Sequence, residues 1–148
     1  MERTCVIIKP DGIQRNLVGE IISCYERGGL KLKAIKIVKA EPDSLRKHYS
    51  AHVDKPFYSG LETYMTEGPV IIMIFEGENA IKRVREITGH TDPSKADKGT
   101  IRGDLGEDSF EKADSEGRGL RNLVHASGTP EEAEKEIELW FEKGDILE

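Results

Sequence analysis

Val70-Ile71-Ile72-Met73-Ile74-Phe75 is the most apolar stretch in the chain. A short run without a polar member, bounded by turn residues, suits a strand buried on both faces; a helix would need about twice the length. Gly68-Pro69 breaks the chain just before it. Earlier still, Phe57 to Thr66 and Pro42 to Ser50 read as two short helices forming a hairpin, the first in the chain with Pro42 near its start. Leu30 to Val38 alternates aliphatic residues with lysines, which predicts a strand with one wet face. Val18, Ile21, Ile22 and Tyr25 fall at i, i+3, i+4, i+7, the spacing of a helix, and Gly28-Gly29 ends it. Cys5-Val6-Ile7-Ile8, within Arg3 to Lys9, reads as a buried strand punctuated by Pro10-Asp11-Gly12. On the other side of the central run, Asn79 to Thr88 is expected as a helix with Ile81, Val84 and Ile87 on one side. Gly89 to Arg118 shows no sustained periodicity and reads as a long loop. Leu120 to Ala126 is expected as a short strand carrying His125. Thr129, Pro130 and Glu132 then stand at N-cap, N1 and N3 of a last helix, a capping box, with Ala133, Ile137 and Trp140 on its apolar face.

The core of this order is βαββαβ. It predicts an α/β (α+β) sandwich of ferredoxin-like topology, with a four-stranded, mainly antiparallel sheet covered on one face by helices. Residues 1–148 read as a single domain, long enough for a hydrophobic core of its own. Hydrophobic residues make up 36% and charged residues 34%, so a packed interior comes with a heavily charged surface. The net charge of −6 argues against broad binding to nucleic acid or an anionic membrane, both of which need a positive field. No apolar run approaches the ~20 residues that span a bilayer. Two cysteines, Cys5 and Cys24, make no disulfide framework and read as buried free thiols. The N-terminus leads into a strand and not into a signal peptide, so the expected location is cytoplasmic.

His125 is the first candidate for chemistry. Near neutral pH much of an imidazole is uncharged and nucleophilic. A strand end before a helix N-terminus offers free N–H groups to a phosphate. On that segment alone, a satisfied half-buried histidine is the better explanation. Lys9 at the end of the first strand, Arg102 in Gly99-Thr100-Ile101-Arg102-Gly103-Asp104, and Arg85 on the helix after the central strand shift the balance toward phosphate chemistry. Arg85, one of several charges on its helix, reads by itself as a surface cation. Neither G-x-x-x-x-G-K-[ST] nor a helix-opening G-x-G-x-x-G occurs, so a nucleotide would be held without either glycine cradle. His48 and His52, at i and i+4, have zinc-compatible spacing but lack a third ligand at a persuasive spacing.

Taken together, Ile8-Lys9-Pro10-Asp11-Gly12, Lys55-Pro56-Phe57, Gly99-Thr100-Ile101-Arg102-Gly103-Asp104 and Asn122-Leu123-Val124-His125-Ala126-Ser127 resemble the successive signatures of nucleoside diphosphate kinases. They occur in the family's order, and the resemblance runs from Arg3 to Phe141. The acidic stretch gives the chain the character of an archaeal member. The resemblance implies that His125 is the nucleophile and becomes phosphohistidine in a ping-pong transfer between nucleoside tri- and diphosphates such as ATP, with broad base specificity. It implies that Lys9, Arg85, Thr91 and Arg102 hold phosphates, Phe57 stacks on the base with Leu61 nearby, and Asn122 meets the sugar. Tyr49, Ser127 and Glu136 would support them, with Ser127 and Glu136 orienting the imidazole. Mg2+ would arrive on the nucleotide phosphates with no direct protein ligand. A homo-oligomer is implied, a hexamer in preference to a tetramer.

Some positions depart from the family's usual pattern. Ala126 replaces a common glycine, Gly128 a common acid and Lys98 a frequent proline; none removes a proposed catalytic group. Between Asp104 and Asn122 the chain is longer by about ten residues than the family leads one to expect, a change loops tolerate. From Glu107 to Glu116 five acids stand against one lysine. A solvated excursion is the expectation, with an oligomer contact or a cover over the site as alternatives. Two other functions are weighed: a quiet nucleotide-binding member of the fold, which should lack the nucleophile or the phosphate clamp, and a phosphocarrier between proteins, which would need no base-stacking site.

Overall fold

The computed structural model describes residues 1–146. Strands β1 (Glu2–Ile8), β2 (Lys31–Val38), β3 (Val70–Gly77) and β4 (Val124–Ala126) form one sheet in the order β2-β3-β1-β4, with each pairing antiparallel. The apolar run is thus an interior strand: Val70 to Phe75 are all buried in β3, flanked by β1 and β2. The helices are α1 (Pro10–Gln14), α2 (Val18–Arg27), α3 (Pro42–His48), α4 (Tyr58–Met65), α5 (Ala80–Thr88), α6 (Ile101–Leu105), α7 (Phe110–Ser115) and α8 (Pro130–Trp140). The βαββαβ order of the ferredoxin-like fold holds, with α2 and α5 as its two helices, and α1, α3, α4, α6, α7 and α8 are additions to it.

The helices cover both faces of the sheet, not one. Val6 and Ile8 of β1 pack with Ile21 and Tyr25 of α2 and Val84 of α5. Cys5 and Ile7, pointing the other way, pack with Leu45 of α3, Tyr64 of α4 and Trp140 of α8. Both β1 and β3 are apolar at successive positions, and a strand of that kind needs cover on both sides.

The long loop expected over Gly89 to Arg118 contains short structured pieces. It holds a 3-10 turn (Pro93–Lys95) and the one-turn helices α6 and α7. Each opens on a side-chain cap: Asp92 accepts from the Ser94 N–H, Thr100 from Gly103 and Ser109 from Lys112. Pieces of three to six residues are too short to display a 3.6-residue period, so caps were their only sequence signal. Similarly, Pro10-Asp11-Gly12 does not merely interrupt β1 but opens α1.

Smaller corrections follow. The strand expected from Leu120 begins only at Val124, because Leu123 takes φ +71°, outside strand geometry. Thr129 caps α8, but the Glu132 carboxylate accepts from Gly128 N–H and not from Thr129, so the capping box is half formed. A bulge between Leu32 and Ala34 shifts the alternation of β2, leaving Ile35 and Ile37 exposed while Lys36 lies over the Phe141 ring. Cys5 is buried as expected; Cys24 is half-buried, and both are free thiols.

Candidate active site

β4 is an edge strand paired to β1, with His125 opposite Ile7. That register turns His125 to the face covered by α3, α4 and α8, where a cleft of roughly 1260 Å³ opens. The loop that delivers β4 is tied down from several directions. Leu123 donates its N–H to the buried carboxylate of Asp11, and its carbonyl accepts from the Lys9 N–H at 2.8 Å. Tyr64 donates its hydroxyl to the other oxygen of Asp11. These bonds over-determine the turn, which is how a leucine is held at positive φ beside the site. Gly12 is required at this junction, since a Cβ there would lie 2.7 Å from the Ile8 side chain.

The His125 side chain keeps 17% of its surface exposed and lines the cleft. Its Nε2 lies 2.8 Å from Glu136 Oε1, and that same oxygen accepts from the Ser127 hydroxyl at 2.7 Å. Burial raises the Glu136 pKa, and His48, the Ser127 hydroxyl and Lys135 work against that rise. As an ionised carboxylate Glu136 only accepts, which places the ring proton on Nε2 and leaves Nδ1 its lone pair. Burial, followed by the charges of Lys9, Arg102, Arg85 and His52, holds the His125 pKa well below the ordinary histidine value. The ring is therefore neutral at pH 7, the form a nucleophile requires.

Cations surround it. Lys9 Nζ is buried and donates to Asn122 Oδ1 at 2.8 Å, while burial and then Arg102 lower its pKa to about 7. Arg102 is buried and donates to three backbone carbonyls: Asn122 at 3.1 Å, Gly89 at 3.2 Å and Val124 at 2.5 Å. Burial brings its pKa down to about 10, so it remains a cation at neutral pH. Arg85, exposed on α5, donates to the Ala126 carbonyl at 3.3 Å. Asn122 donates its amide to the Thr91 carbonyl at 3.0 Å.

A sequence model described as nucleoside diphosphate kinase matches residues 2–146. The nucleoside diphosphate kinase of Archaeoglobus fulgidus is 48% identical over 99% of this chain and 91% of its own length. That of Picrophilus torridus is 44% identical over the whole of both chains. Among solved structures, a transition state mimic of the Borrelia burgdorferi nucleoside diphosphate kinase with bound vanadate and ADP superposes with a TM-score of 0.94. It is 34% identical, covering 99% of this chain and 90% of that one. The chain belongs to the nucleoside diphosphate kinase family.

It is accordingly a phosphotransferase that binds nucleotides. Of the residues singled out in the sequence, Lys9, Tyr49, Phe57, Leu61, Arg85 and Thr91 line the cleft, and so do Arg102, Asn122, His125 and Glu136. Ser127 is fully buried behind it. Two of them are more occupied than the sequence suggests. Asn122 already bridges Lys9 and Thr91, and Arg102 also ties the β4 loop to Gly89. Tyr49 is buried, 5.9 Å from the His125 ring between centroids, and its hydroxyl makes no hydrogen bond among the described residues.

Sequence reasoning missed Asp11, the anchor of the β4 loop, and the true setting of His48. His48 is grouped not with His52 but with His125 and Glu136, their donor atoms all within 4.8 Å. This group does not suit a metal ion. The Trp140 indole N–H donates to His48 Nδ1 at 2.9 Å, and an indole nitrogen can only donate. The neutral ring must then carry its proton on Nε2, the atom nearest Glu136 at 4.0 Å, which has no lone pair to offer a metal. Burial and the neighbouring His125 hold the His48 pKa at about 3, so the ring stays neutral. Its Nε2 makes no hydrogen bond among the described residues, but at 4.0 Å from Glu136 Oε2 the ring favours the charged carboxylate.

Proposed function

We propose that this chain moves the terminal phosphate of a nucleoside triphosphate onto a nucleoside diphosphate through phosphohistidine at His125, in two half-reactions at one site. The observation that carries the reading is the placement of His125 on the cleft, its Nε2 2.8 Å from Glu136 Oε1, with Lys9, Arg85 and Arg102 close enough to act on the ring. In the first half, the Nδ1 lone pair attacks the terminal phosphorus. The bond to the bridging oxygen breaks, and that oxygen leaves with the electron pair on the departing diphosphate. The ring becomes cationic and Glu136, through Nε2–H, stabilises it. In the second half, a terminal oxygen of another nucleoside diphosphate attacks the same phosphorus and the N–P bond breaks.

Catalysis of this kind rests on positioning and charge stabilisation. Lys9, Arg85 and Arg102 supply charge, while the Tyr49 hydroxyl and Thr91 supply donors. Phe57, 54% exposed at the mouth of the cleft, offers a π-face that accepts any base, which accounts for broad specificity. Magnesium would be carried by the nucleotide phosphates, with no direct protein ligand, and would supply charge neutralisation there. It prefers oxygen ligands, and the histidine-rich group beside His125 is chemically wrong for it. Homo-oligomerisation belongs to the same reading, and exposed Ile35 and Ile37 on the β2 edge strand support a contact between copies; a hexamer in preference to a tetramer rests on the family resemblance. A cytoplasmic location also belongs to this reading, and two free thiols agree with it.

The test is a chase. Incubation with ATP labelled in its terminal phosphate should leave acid-labile label on the protein. Unlabelled GDP should then remove it as labelled GTP. Label that stays on the protein, or that passes only to another protein, sinks the kinase reading.

A further inference from the structure

Of the nine Phe, Tyr and Trp side chains, only Phe57 and Phe110 are exposed. Both line the cleft that holds His125. They come from separate elements: Phe57 immediately precedes α4, and Phe110 opens α7, in the acidic stretch that reads from sequence as a solvated excursion.

That stretch is instead anchored in several places. At its start, Phe110 N–H donates to Asp92 Oδ2 at 3.2 Å. Asp108 is buried and receives both guanidinium nitrogens of Arg118, at 2.7 and 2.9 Å, together with the Arg121 N–H at 2.8 Å. This is the paired fork geometry that positions as well as attracts. At its far end, Gly119 meets Gly60 of α4 so closely that a Cβ on Gly119 would lie 2.7 Å from the Gly60 carbonyl oxygen. The insert is therefore fastened directly to the helix that follows Phe57, and Ala113, Asp114 and Gly117 face the same cleft.

We infer that the insert builds a second wall for the nucleoside end of the cleft, with the Phe110 ring as an apolar surface for the base of a nucleoside diphosphate. The inference rests on the function proposed above, which assigns the cationic end around Lys9, Arg102 and His125 to the phosphates. An aromatic surface takes any base by its π-face, so Phe110 adds affinity without selecting a nucleotide.

Affinity for ADP and for inorganic pyrophosphate, which has phosphates but no base, separates the possibilities. Phe110→Ala should weaken ADP by about tenfold, as loss of one stacking partner does. It should leave pyrophosphate within about twofold, and Phe110→Tyr should retain the wild-type ADP affinity. An ADP affinity within twofold of wild type in Phe110→Ala, with label transfer from ATP to GDP intact, overturns the second wall and leaves the kinase reading standing. Equal losses for ADP and pyrophosphate also overturn it, because the variant would then act on the cleft as a whole. Failure of the wild-type chain to bind ADP removes both readings together.

Discussion

At the residue scale the site depends on where single protons reside. His125→Ala should abolish turnover while ADP binding persists, because Lys9, Arg85 and Arg102, the cations proposed to hold phosphates, are untouched; turnover near wild type in that variant would refute the nucleophile assignment. Lys9 adds a pH dependence whose sign follows from its shifted pKa. Its ordinary value of 10.5 falls to about 7 in the fold, so the ammonium is present below about pH 7 and is lost above it. The affinity of the unphosphorylated protein for ADP should therefore fall between about pH 6.5 and 8.5. Titration of ADP binding to Lys9→Met should remove that fall; an unchanged profile would assign it elsewhere. Arg102 carries two duties, so its loss should show two signatures. Arg102→Ala should slow transfer by about 10²–10³, as loss of a positioned donor does. It should also strip three backbone carbonyls of their partner, costing on the order of 3 kcal/mol, or roughly 6–12 °C in Tm. A rate loss under threefold with the Tm drop intact would leave Arg102 a purely structural residue.

At the scale of elements, the acidic insert is the part of the chain whose role changed most between sequence and structure. Its composition resembles that of a solvated loop, yet Ser109 caps α7 and Asp108 locks onto Arg118. Burial pushes the Asp108 carboxyl up, but Arg118 and the N–H groups of Arg121 and Ser109 outweigh it and bring its pKa down to about 2. A carboxylate held below its unfolded value contributes stability above that value and loses it as pH falls through the folded one. Hydrogen exchange in α7, corrected for intrinsic rate, should thus be steady from about pH 5 to 8 and rise only below about pH 4. Opening of α7 already at pH 6 would contradict the lock. Deleting Glu107–Glu116 removes Asp108 and Phe110 together and should weaken ADP binding; unchanged activity and unchanged assembly would mean the insert serves neither site nor interface. The longer helices were legible beforehand because their apolar spacing repeats, as with Val18, Ile21 and Tyr25 of α2. α1, α6 and α7 were not, because one turn contains no repeat to read.

For the whole molecule, the exposed edge of the sheet carries the prediction about assembly. Ile35 and Ile37 are 48% and 62% exposed on β2, and unpaired edges invite pairing with another chain. Light scattering on Ile35→Lys/Ile37→Lys should report a smaller particle than the wild-type chain, and equal masses would move the interface elsewhere. By itself the sequence determined the order of the strands and longer helices and the interior place of Val70–Phe75, and its resemblance to a family pointed to part of the residues that line the cleft. These follow from local periodicity and from motifs that keep their residue types in order along the chain. Only the tertiary structure decided that helices cover both faces, that the acidic insert is fastened to α4, and that Trp140 and His48 stand behind Glu136. It alone decided which nitrogen of His125 is free. Such facts depend on contacts between residues far apart in the chain: Lys9 meets Asn122, and Trp140 meets His48. A proton's position is set by the partner across that gap, which no spacing along the chain encodes.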